Sequence, residues 1–115
     1  MDDRLDKAIG QANYTMTVAR QRKNMQERYE TALLYSVNGG SFSATPELMN
    51  FVDLLVRQDT SSAILLDINH RPIQIEDLKD FFDQLVMTYH AAVNEYYSGY
   101  EKLRKNRNVK TVIGL

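Results

Sequence analysis

Apolar residues from Glu76 to Arg107 recur in steps of three and four: Leu78, Phe81, Phe82, Leu85, Tyr89, Ala92, Val93, Tyr96, Tyr100 and Leu103. That spacing, free of proline, predicts one amphipathic helix rather than a strand. Asp77 suits its start, Asp80 and Asp83 the positive end of its dipole, and Lys102, Arg104 and Lys105 the negative end. Such a helix is about 45 Å long at 1.5 Å per residue, whereas a domain of this size has a radius of gyration of about 13 Å. Its far half therefore needs a partner.

The opening of the chain predicts a second long helix. Leu5, Ile9, Ala12, Met16 and Ala19 form a narrow stripe of the coiled-coil kind. A second, shifted stripe of Val18, Met25, Tyr29, Ala32 and Leu33 replaces it, as in a helix whose buried face changes partner midway. At Thr31 the pattern breaks into an apolar run, then Asn38-Gly39-Gly40 and Ser41-Phe42-Ser43-Ala44. Either the helix ends near Tyr35 in a glycine cap, or residues 33–37 and 41–44 pair as a hairpin around the Asn-Gly turn. The hairpin is the preferred reading.

Thr45-Pro46-Glu47 is the clearest local signal: a hydroxyl cap, a proline at the first helical position and an acid facing the dipole. Leu48, Phe51, Val52, Leu55 and Val56 then give a short helix one buried face, ending near Arg57. Residues 63–68 have strand composition, Asn69-His70 suits a two-residue turn with asparagine left-handed, and residues 71–75 return with Ile73 and Ile75 on one face. Pro72 cannot donate to a ladder and marks an edge. Val109 to Leu115 is a short apolar tail of strand-forming residues. The expected fold is α+β in a single domain over 1–115: long N- and C-terminal helices, one short central helix, and a small antiparallel sheet built from hairpins.

Composition narrows the classes. A 25% charged and 43% apolar chain argues for a folded protein over global disorder. No apolar run approaches the roughly 18 residues of a membrane span, and no signal-peptide pattern opens the chain. The absence of cysteine removes disulfides and thiolate metal sites and is compatible with a cytoplasmic location. Charge is uneven: residues 1–97 carry a net −5 and residues 98–115 a net +4. Lys102, Arg104, Lys105 and Arg107 are the candidate nucleic-acid contacts, against the simpler reading of a solvated helix end.

Catalytic chemistry finds little support. His70 falls in a predicted turn, and His90 lies outside any zinc-binding spacing. Glu76, Asp77, Asp80 and Asp83 are read as dipole complements rather than a metal site. Gly39-Gly40 lacks the residues of a phosphate loop. No catalytic residue, cofactor or metal is assigned, and a non-enzyme is expected. The tyrosines are the unusual feature. Tyr89, Tyr96 and Tyr100 share the helix stripe, where an apolar body and polar tip suit an interface better than base stacking. The expected interface is Leu85, Tyr89, Val93, Tyr96, Tyr100 and Leu103, joining two copies as a homodimer.

Several segments carry a family likeness: Tyr35-Ser-Val-Asn-Gly-Gly-Ser-Phe42, Thr45-Pro-Glu-Leu48, Leu66-Asp67-x-Asn69-x-x-Pro72-Ile73 and Glu76-Asp-Leu78. Together with the stretch from Tyr96 to Lys105, they resemble small proteins of T-even-like marine cyanophages. The resemblance covers about half of the chain and includes no catalytic signature. It implies a phage origin, a place in the host cytoplasm or the virion, and a virion, assembly or host-takeover role with a phage or host protein as a further partner.

Overall fold

The computed structural model describes residues 3–112, with side chains over 4–105. Its elements run α1 (Asp3–Ala32), β1 (Leu34–Val37), β2 (Gly40–Ser43), α2 (Pro46–Arg57), β3 (Ala63–Leu66), β4 (Pro72–Ile75) and α3 (Leu78–Val112). The class is α+β as expected, with two separate two-stranded antiparallel sheets, β1–β2 and β3–β4, in place of one. Residues group into two compact units, Met1–Arg28 with Tyr96–Leu115 and Tyr29–Glu95.

The second unit holds the core. Leu78, Phe81 and Leu85 stand one helical turn apart on α3 and are buried with Phe42, Val52, Leu65, Ile73 and Ile75. Phe42 meets Phe81 edge-on at 5.1 Å between ring centres, and Tyr35 lies 6.0 Å from Phe81 at a tilt. Fully burying side chains such as Leu78 and Leu85, both 0% exposed, contributes about 1.5–3 kcal/mol each.

Local chemistry sets the element ends. The hairpin reading of residues 31–44 holds: α1 ends at Ala32, short of Tyr35 and without a glycine cap, and the hairpin follows at once. Val37 pairs with Gly40, leaving Asn38 (φ 50°) and Gly39 (φ 80°) as a two-residue turn with both angles positive. Thr45 caps α2, its hydroxyl accepting the Leu48 N–H at 3.3 Å, with Pro46 at the first helical position. Asp77 caps α3, its carboxylate accepting the Asp80 N–H at 3.1 Å.

Three expectations need correction. Phe51 is 49% exposed rather than on the buried face of α2, because Leu48, Met49, Val52, Leu55 and Val56 form the stripe that meets the core. The left-handed residue of the second turn is His70 (φ 59°), not Asn69, because the loop spans residues 67–71 and folds around the Asp67 carboxylate. The helix does not stop at Arg107 but carries residues 109–112 to Val112, so that part of the tail is no strand; residues 113–115 lie outside the described residues.

Candidate interaction surface

In the first unit, α1 and α3 meet where Met25 packs on Gly99. A Cβ at Gly99 would stand 3.4 Å from the Met25 sulfur, an ordinary van der Waals contact, which places the Met25 side chain directly over this point of α3. Beside this point lies an open cleft of about 220 Å³, lined by Gln21, Asn24, Met25, Arg28, Gly99, Lys102 and Leu103. Among the described residues, Leu103 is the one buried hydrophobic outside the second unit's core.

The shifted stripe of α1 is thus the covered one. Met25 takes Gly99, while Tyr29, Ala32 and Leu33 pack into the core of the second unit. The opening stripe is left uncovered: Leu5 is 52% exposed, Ile9 49% and Met16 63%, with Ala12 and Ala19 exposed between and beyond them. Alanine at two of the five positions leaves room for another helix to approach closely.

The six residues expected at an interface separate into three groups. Leu85 is fully buried in the core of its own chain, and Leu103 is buried beside α1, so neither presents a face to a second molecule. Tyr89 and Val93 are half-buried, Tyr89 against the core. Tyr96 and Tyr100 are exposed, with Tyr97 exposed as well. Periodicity marks the six, though not Tyr97, as one stripe but cannot say which turns the same chain covers. Leu5, Ile9 and Met16 carry the same periodic signal in sequence as the tyrosines, that of a helix seam, without showing what meets it.

Of the basic residues, Lys102, Arg104 and Lys105 are exposed within about one turn of α3, and Arg104 is paired with Glu101 at 3.0 Å. Arg107 lies on α3, its side chain outside those described. Glu76, Asp77, Asp80 and Asp83 are all exposed at the start of α3. His90 is exposed and lies edge-on to Tyr89 at 6.0 Å. His70 is exposed in its turn. Among the described residues no group of three His, Asp or Glu stands placed to hold a metal ion, and no helix is long and apolar enough to cross a membrane.

One polar cluster is buried, and its bonds tie the two hairpins together. The Asp67 side chain is 0% exposed and accepts the N–H groups of Ser41 (3.1 Å), Asn69 (2.9 Å) and Arg71 (2.9 Å), with the Arg71 guanidinium at 3.2 Å. Burial pushes the carboxyl upward, but the bonds from the Arg71, Ser41 and Asn69 amides and from the Arg71 side chain outweigh it, holding Asp67 at about 2. A carboxylate so fully bonded within its own chain is a structural clip, with no lone pair directed at a ligand.

No protein-family model, no curated protein and no solved structure matches this chain.

Proposed function

We propose that this chain is a non-enzymatic assembly or interaction module that joins a second copy of itself through the helices of its first unit. The observation that carries the reading is the uncovered stripe of Leu5, Ile9 and Met16 on a unit whose described residues form two helices. Two helices cannot shelter both apolar faces of each other, and pairing two such units into a four-helix arrangement does so. Tyr96 and Tyr100 lie on the same unit and add amphipathic surface at its α3 side.

The likeness to cyanophage proteins supports placing this assembly in a phage virion or in the host cytoplasm during phage growth, with a phage or host protein as a further partner.

The test is molar mass by light scattering on the intact chain and on Leu5→Lys/Ile9→Lys. The reading expects the substitutions to halve the mass. The competing reading, a nucleic-acid accessory protein using Lys102, Arg104, Lys105 and Arg107, expects unchanged mass and an oligonucleotide affinity that falls steeply with salt and is lost on truncation after Tyr100.

A further inference from the structure

The second unit carries an unguarded sheet edge that the helix pairing does not use. The Asp67 N–H donates to the Arg71 carbonyl at 3.0 Å, and the β3–β4 register sets Leu65 opposite Ile73 and Ala63 opposite Ile75. Hydrogen-bonded and non-bonded pairs alternate along an antiparallel ladder, so the bonded pairs are 63:75, 65:73 and 67:71. Ile64 and Leu66 therefore turn their backbone N–H and C=O groups away from β4. No hydrogen bond in the described structure takes those groups. Their side chains share the outer face of the hairpin, 69% and 60% exposed.

The other edge is closed. On β4, Pro72 has no N–H to offer, and the Gln74 carbonyl accepts the Asn38 side-chain amide at 2.9 Å. The β3 edge has none of the usual protections: residues 61–66 (Ser61-Ser-Ala-Ile-Leu-Leu66) include no charge, no proline and no glycine.

We infer that β3 is a self-pairing edge, at which two copies of the chain join their β3 strands antiparallel across a two-fold axis. Centring the axis on Leu65 puts Ile64 opposite Leu66 of the partner subunit. In that register each outward N–H of Ile64 and Leu66 donates to an outward C=O of the other strand, because the residues that face out are the ones the axis exchanges. The same register lays the two most exposed aliphatic side chains of the strand against each other. A second copy fits for two reasons. An uncharged edge meets its own image without like-charge repulsion, and the closed β4 edge ends the sheet at two hairpins rather than letting it grow. The contact is small by the standard of stable interfaces, so it is a weak, concentration-dependent one.

Amide hydrogen exchange tests this on the full chain carrying Leu5→Lys/Ile9→Lys, a background in which helix pairing is removed and only β3 can join two copies. The expected result is protection of the Ile64 and Leu66 amides by roughly tenfold or more at high protein concentration, lost on dilution. A further Ile64→Lys substitution, at an exposed position that leaves the core intact, abolishes it. Fast exchange at every concentration overturns the inference. So does protection that ignores both dilution and Ile64→Lys, which would mean that the chain covers its own edge, and so does protection that arises only when a different protein is added.

Discussion

The carboxylate of Asp67 accepts the backbone N–H of Ser41 at 3.1 Å across 26 positions of sequence, and the Ser41 carbonyl accepts the Ile68 N–H at 2.9 Å in return. This reciprocal pair bonds the β1–β2 hairpin to the β3–β4 turn, a link that no strand ladder makes. Replacing Asp67 by Asn sets a side-chain NH₂ against donors and strips the charge that strengthens the remaining bonds. Asp67→Asn is expected to lower Tm by several degrees in calorimetry, with far-ultraviolet circular dichroism preserved.

The same residue makes stability depend on acid. Asp67 is held near 2 in the folded chain, below its ordinary 3.8. The unfolded chain thus binds the extra proton first as pH falls, so stability rises with pH across that window. The contribution is complete above about pH 4 and is lost as pH falls toward about 2. Denaturation midpoints measured from pH 5 to 2 should fall less steeply in Asp67→Asn than in the parent.

Gly40 is placed against Ile73 so closely that a Cβ would come within 2.5 Å of its Cγ1 and 2.8 Å of its Cδ1. Ile73 is buried and cannot swing aside. Gly40→Ala should cost about 1–3 kcal/mol in urea denaturation, the usual range for overpacking. Ile73→Ala removes both clashing carbons, so the double variant should lose less than the sum of the singles.

Leu85→Ala separates core from interface. A 0% exposed leucine truncated to alanine is expected to cost about 2–5 kcal/mol. The oligomeric mass of the folded variant should stay that of the parent, since Leu85 touches its own chain. A lower mass at full folding would return Leu85 to the interface.

Much of this architecture was readable from residue order because the signals were local. Thr45-Pro46 states a helix start, Asn38-Gly39 a turn, and Asp77 a cap, each through its own backbone chemistry. What was not readable depended on contacts distant in sequence. Periodicity put Leu85 and Tyr100 on one stripe of α3, but only the hairpins decide that the first is 0% and the second 47% exposed. The two stripes of α1 were visible as patterns, yet which one is covered follows from Met25 meeting Gly99 and from Leu33 entering the core. Asp67 gave no sign of burial in sequence, and its capture of the Asn69 and Arg71 amides moved the left-handed residue from Asn69 to His70.

The most direct test of the account is the molar mass of the chain carrying Ile64→Lys, which removes any joining through β3, measured by light scattering over a range of concentrations. Association through the helices of the first unit predicts twice the chain mass of 13.3 kDa, falling to the chain mass when Leu5→Lys and Ile9→Lys are added. A mass of 13.3 kDa at every concentration, or a doubled mass indifferent to Leu5 and Ile9, would contradict it.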